Sequence, residues 1–189
     1  MRAANLFKLI SSIILLTISC CLSSPILATK FVPDAEYNVC FTPGGDCTSL
    51  IVNQINKASK SIYLQAYSFT SKPIAKAIVD ASKRGLDIEV ILDKSQFKRN
   101  TYSAAKFLLN QKIPVWIDYH PAIAHNKVII LDKETVITGS FNFTKAAQEK
   151  NAENVLIIKD KNLANTYLNN FQRRKFNSDK KPYTNNLTS

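Results

Sequence analysis

The stretch HNKVIILDKETVITGSFN, residues 125–142, decides how the chain folds. Val128, Ile129, Ile130 and Leu131 form one unbroken apolar run, and Thr135, Val136, Ile137 and Thr138 form a second, rich in β-branched residues. Asp132, Lys133 and Glu134 between them are polar and suit a tight turn, so the two runs read as adjacent strands over residues 127–131 and 135–138. The first run turns no polar side chain toward water, as expected of a strand covered on both faces.

Outward from this hairpin the hydrophobic period switches repeatedly. Upstream, residues 37–41 read as a short strand, and Asp46 or Thr48 caps a helix whose apolar face is Leu50, Ile51, Ile55 and Ala58. Ile62, Leu64 and Ala66 alternate with Tyr63, Gln65 and Tyr67, giving a strand over residues 61–68. A helix follows, with Pro73 in its first turn, a buried stripe of Ile74, Ala75, Ile78 and Val79, and Gly85 as its stop. Strands are expected at residues 88–92 and 115–119, with a polar, basic loop at 96–101 and a helical segment at 102–111 between them. Downstream come a strand at 155–158, a helix at 163–176 with Tyr167, Leu168 and Phe171 on one face, and a polar tail over 177–189 that is expected to be mobile. Helices alternating with apolar strands, with one hairpin among them, imply an α/β fold: an αβα sandwich around a mixed β-sheet. No internal repeat is visible.

The N-terminus sets Arg2 and Lys8 before the uncharged apolar run 9–22, then Pro25 and Ala28 before the next charge at Lys30. That is the layout of a signal peptide over residues 1–28 and implies a secreted or periplasmic protein. Two alternatives stay open: an uncleaved membrane anchor, since residues 9–29 carry no charge, or a lipid-bearing Cys20 or Cys21. Of the net charge of +11, cleavage removes only Arg2 and Lys8 and leaves +9, which draws the protein to polyanions. Export places Cys40 and Cys47 in an oxidising compartment and favours a disulfide across a small loop, the alternative being two unpaired thiols. His120 and His125 are the only histidines, so a tetrahedral metal set is not expected.

If residues 127–131 are a strand, His125 and Lys127 lie two apart and project to one side. Gly139, Ser140 and Asn142 return beside them across the hairpin and offer a backbone N–H, a hydroxyl and an amide as donors to a phosphate oxygen. The pattern His125-x-Lys127-x4-Asp132, then six residues, then Gly139-Ser140-x-Asn142, with Glu153 downstream, resembles the motif of the phospholipase D superfamily at every position. The resemblance runs from Cys40 to about Phe176, and is nearest to small secreted bacterial members that include a nuclease and rickettsial-type phospholipase D proteins. It implies the phospholipase D/nuclease fold over residues 29–176 and a hydrolase that needs no metal or other cofactor. In that chemistry His125 attacks phosphorus to give a phosphohistidine, which water then releases. Lys127, Ser140 and Asn142 bind the nonbridging oxygens, and Glu153 hydrogen-bonds the second nitrogen of His125. Asp132 belongs to the motif, and a structural ion pair explains it as well as a catalytic role. Lys133 departs from the glycine that many members carry there, which puts the turn in doubt.

The family's acid is the histidine of a second motif copy. One domain of this length holds one copy, and His120 has no companion lysine or asparagine, so a homodimer with its active site on the twofold axis is implied. For the substrate, the basic segment 94–99 with Lys94, Lys98 and Arg99, and Arg173, Arg174 and Lys175 of the last helix, suggest nucleic acid and hence an endonuclease, with Phe97 and Tyr102 available to stack on bases. The alternative is a phospholipase D that releases phosphatidic acid and a free headgroup, with Phe69, Phe97, Phe141 and Phe143 touching acyl chains. A basic binding module without catalysis is a third class, and the intact motif argues against it.

Overall fold

The computed structural model describes residues 28–97 and 103–179. The chain divides into Met1–Lys30 and Phe31–Ser189, and everything below concerns the second unit. The signal, anchor and lipidation readings of residues 1–27, the side chains of Lys98, Arg99 and Tyr102, and the tail 180–189 lie outside the described residues.

Among the described residues, seven strands and five helices follow in the order β1 (Glu36–Thr42), α1 (Cys47–Lys57), β2 (Ser61–Ala66), α2 (Lys72–Lys83), β3 (Asp87–Asp93), α3 (Ala104–Asn110), β4 (Val115–Asp118), β5 (Lys127–Leu131), β6 (Thr135–Gly139), α4 (Lys145–Glu149), β7 (Glu153–Lys159) and α5 (Lys161–Phe176). A 3-10 turn, Lys94–Phe97, follows β3. The strands form one mixed sheet in the order β1-β7-β6-β5-β2-β3-β4. β2, β3 and β4 run parallel, and the remaining neighbours are antiparallel. The expected αβα sandwich is therefore the observed fold.

Alternation along the strands builds a core on each face. Ile62, Leu64, Val90, Leu92, Ile129 and Leu131 meet Ile51 and Ile55 of α1, Ile74 and Ile78 of α2, and Leu108 of α3. Tyr63, Ile91, Trp116, Val128, Ile130 and Val136 meet Ala164 and Phe171 of α5 on the other. Every residue of β2 and β5 is buried, which is why residues 128–131 show no polar alternation. Asp46 caps α1 by accepting from the Ser49 N–H, and Asp160 caps α5 by accepting from Leu163. Gly85, with φ of +89°, ends α2 as expected.

The structure corrects the expectation of a basic patch on the last helix. Arg174 makes a fork to Asp118 of β4, and Lys175 pairs with Glu89 of β3 while its ammonium lies 4.3 Å from the Trp116 ring centre. These charges pin α5 to the sheet; of the three, Arg173 alone stays exposed. Lys94 is likewise turned inward, donating to the carbonyls of Tyr119 and Pro121. The start of the tail is held too: Ser178 is buried and donates to Arg174 O, and the Asp179 N–H reaches Ile117 O.

Cys40 and Cys47 form a disulfide with a sequence separation of seven, tying β1 to the first turn of α1. β1 is a sheet edge with one neighbour, so this bond limits how freely it can peel away. Reduction, or Cys40→Ser with Cys47→Ser, is expected to lower stability by about 2.5 kcal/mol from loop-closure entropy, measured by urea unfolding with and without reductant.

Candidate active site

The strand directions gather one set of ends. The C-termini of β1, β2, β3, β4 and β6 and the N-termini of β5 and β7 lie along the same edge of the sheet. His125 and Lys127 enter there from β5, Ser140 and Asn142 leave from β6, and Glu153 begins β7.

His125 is held in an irregular segment between β4 and β5. The Ala124 N–H before it donates to Asp93 at 2.7 Å, and the Asn126 carbonyl after it accepts from the Tyr67 N–H at 2.9 Å. Its ring packs on Tyr67 with centres 4.7 Å apart. Lys127 places its ammonium 3.2 Å from His125 Nδ1 and 3.0 Å from His125 O, and 5.5 Å from the Tyr67 ring centre. Burial pulls the Lys127 pKa down, and the nearby charge of Glu153 only partly offsets this.

Gly139 has φ of +145°, and a Cβ there would sit 2.2 Å from Asn154 O, so β6 and β7 approach each other only with glycine at this position. That approach lets Ser140 Oγ accept from the Asn154 N–H and donate to Glu153 at 2.6 Å. The other Glu153 oxygen accepts from Asn151 at 2.8 Å. The expected Glu153–His125 bond is therefore not made: Ser140 and Asn151 occupy the carboxylate, and Lys127 occupies Nδ1. Asn142 Oδ1 is buried with no hydrogen-bond partner among the described residues; the NH2 of the same amide is the group able to donate to a phosphate oxygen.

Asp132 stands apart from this group, at the far end of β5. Its carboxylate accepts from the N–H groups of Ser59, Lys60 and Ser61 and from Ser59 Oγ, fixing the turn between α1 and β2. The catalytic option left open for Asp132 is thereby corrected to a structural one, through backbone donors and not an ion pair. Burial pushes its pKa up, but the N–H groups of Ser61, Ser59 and Lys60 outweigh this and hold it below the usual 3.8. A depressed carboxylate contributes stability above pH 3.8 that is lost as the pH falls through and below that value. Asp132→Asn is expected to cost about 1–3 kcal/mol at pH 7, with the gap to wild type closing below pH 4, as urea titrations at each pH can read. Both Asp132 and Lys133 have positive φ, 53° and 59°, which accounts for glycine being the easier residue at position 133.

His120 is exposed in the loop, as expected. Phe69, Phe141 and Phe143 are buried in the core, Phe69 and Phe143 meeting edge-on, so the expectation that they touch acyl chains is corrected; Phe97 packs partly buried against the same core. Among the described residues, exposed apolar side chains on the active-site edge include Phe41, Tyr119 and Ile123.

The family described as "cardiolipin synthase, PLD-like domain" matches residues 51–175. The chain belongs to the phospholipase D superfamily. A "phospholipase D" of Rickettsia conorii is 50% identical over 141 residues, covering 75% of this chain and 70% of the relative. The human "mitochondrial cardiolipin hydrolase" is 32% identical over 135 residues, 71% of this chain and 53% of the relative. Among solved structures, the phospholipase D family member Nuc of Salmonella typhimurium superposes with a TM-score of 0.73 at 39% identity, covering 77% of this chain and 97% of Nuc. NucT of Helicobacter pylori gives 0.70 at 25% identity over 77% of this chain and 98% of its own. This phospholipase D superfamily protein is a phosphodiesterase, and His125, Lys127 and the Asn142 amide on its sheet edge are groups of the kind such chemistry uses.

Proposed function

We propose that the protein is an exported endonuclease that cleaves phosphodiester bonds through a phosphohistidine on His125, working as a homodimer without metal. The observation that carries the chemistry is the grouping of His125, Lys127, Ser140, Asn142 and Glu153 on one sheet edge with Nδ1 of the histidine in reach of an ammonium.

In the resting site Lys127 faces Nδ1, which leaves the proton on Nε2 and the ring poorly nucleophilic. A substrate phosphate draws the Lys127 ammonium and the Ser140 hydroxyl to its oxygens. Nδ1 can then carry the proton and pair with Glu153, whose Oε2 Ser140 has released, and Nε2 becomes the nucleophile. The Nε2 lone pair forms the P–N bond as the P–O bond breaks, and the leaving alkoxide takes a proton from His125 of the partner subunit. Water then attacks phosphorus, returns a proton to that imidazole and breaks the P–N bond. Lys127 and Asn142 stabilise the charge of both transition states.

Nucleic acid is favoured by the net charge of +11; an open groove of about 620 Å³ between the starts of α2 and α4 sets Lys72 and Lys145 beside the carboxylates Asp46 and Glu149, the latter 3.5 Å from Lys145. The groove shares the segment that carries Asn142, since the Thr70 and Ser71 N–H groups donate to Phe143 O. Membrane phospholipid is the second reading, favoured by exposed Phe41, Tyr119 and Ile123 on the same edge and by the rickettsial relatives' name. The Cys40–Cys47 disulfide supports export, with residues 1–28 as the signal.

Incubation with plasmid DNA, single-stranded RNA and phosphatidylcholine or cardiolipin vesicles, all with chelator, separates the readings. Nicked DNA or cut RNA with intact lipid is expected; headgroup release with intact nucleic acid overturns the endonuclease reading. Lys72→Glu with Lys145→Glu is expected to weaken DNA binding about tenfold or more at 50 mM salt and to flatten its salt dependence, as fluorescence anisotropy can measure.

A further inference from the structure

The segment that delivers His125 runs from Tyr119 to Asn126 without strand or helix, so its placement depends on side chains reaching it from elsewhere. Two consecutive residues at the C-terminus of β3 do this with opposite chemistry. Lys94 donates to the carbonyls of Tyr119, at 3.4 Å, and Pro121, at 3.0 Å, at the segment's start. Asp93 accepts from the Ala124 N–H at 2.7 Å at its end, one residue before the nucleophile. The second Asp93 oxygen accepts from the Ser95 N–H at 2.8 Å and so anchors the clamp to its own 3-10 turn.

We propose that Asp93 and Lys94 form a clamp that positions the His125 imidazole for attack on phosphorus, making them positioning residues of the reaction. The inference rests on the phosphohistidine reading. Asp93 is 2% exposed, so water does not replace its bond to Ala124 when it is removed. Both of its oxygens accept backbone N–H groups, a pattern that an amide cannot match because its NH2 would face a donor. Burial raises the Asp93 pKa, but Ser95 and Ala124 outweigh it, so the group accepts as a carboxylate. The opposite side of the histidine is fixed by the Tyr67 N–H on the Asn126 carbonyl, so losing the clamp lets the loop swing about that point.

The decisive comparison is Asp93→Asn, Lys94→Met and Lys94→Arg, read by steady-state kinetics, thermal unfolding and imidazole NMR in an His120→Asn background that leaves His125 as the single histidine. Asp93→Asn is expected to lower kcat about 10- to 100-fold with KM within about threefold, as for a misplaced reacting group. Lys94→Met is expected to lower kcat in the same way, Lys94→Arg to restore it, and the His125 ring signals to broaden or split in the two damaging variants. Wild-type kcat and a single sharp His125 ring in Asp93→Asn and Lys94→Met overturn the clamp. A kcat loss in Asp93→Asn that matches its unfolded fraction, with Lys94→Met normal, also overturns it by leaving a structural role. If the wild-type protein turns over no phosphodiester, the proposed function fails, and the ring spectra still decide whether the clamp holds the histidine.

Discussion

His125→Ala is expected to lose at least about 10³-fold in turnover on every phosphodiester the wild type cleaves, with stability within about 0.5 kcal/mol. In the proposed mechanism the imidazole forms and breaks the only covalent bond between protein and phosphorus, and Lys127 and Asn142 can stabilise charge but cannot supply a nucleophile. His125 is exposed and rests on Tyr67, so its removal opens no cavity. The same variant reads the oligomeric proposal. If one composite site needs His125 from both subunits, activity of refolded mixtures falls as the square of the wild-type fraction; independent monomeric sites give a linear fall. Steady-state rates across a mixing series separate the two.

Arg174→Ala is expected to have the largest effect on stability, about 3–5 kcal/mol and a fall of about 10 °C or more in Tm. Its guanidinium makes a fork to both oxygens of Asp118, with Nε at 2.8 Å and NH2 at 2.6 Å, and Asp118 is 1% exposed. Truncation strands a buried carboxylate beneath α5 and also removes the stem that packs there. Arg174→Met with Asp118→Leu is expected to recover much of the loss, because no unpaired charge is left behind. Calorimetry on the single and double variants measures this. Asp118 lies beside Asp93 in the β3–β4 register, so the single variant is also expected to loosen the clamp on His125.

Much of the architecture was legible from periodicity. The unbroken run 128–131 announced a strand covered on both faces, and α5 above with α1 to α3 below supply that cover. α4 was missed because a five-residue helix turns only Ala147 fully inward, too little to make a stripe. The fate of the basic residues was not legible, since it depends on partners distant in sequence: Arg174 meets Asp118 and Lys175 meets Glu89 only once α5 has docked. Asp132 shows the limit of a spacing argument. Its place five residues after Lys127 marks it as part of the motif, yet a five-residue strand carries it to the opposite end of the sheet, where it serves the α1–β2 turn. Phe141 and Phe143 flank Asn142 in sequence, and both pack with Phe69 into the core. Lys94 read as part of a basic substrate segment and Asp93 carried no signal, because their work is done on backbone atoms of a remote loop.

The phosphohistidine is the claim on which the rest depends, and trapping it is the direct measurement. The purified protein is quenched within its first turnover of bis(p-nitrophenyl) phosphate, with chelator present, and its peptides are weighed by mass spectrometry under alkaline conditions that preserve phosphohistidine. The expected result is a nitrophenyl-phosphoryl adduct on the peptide that contains His125, absent from His125→Ala. Turnover at the full rate with no adduct on His125, or turnover abolished by chelator, would contradict the mechanism.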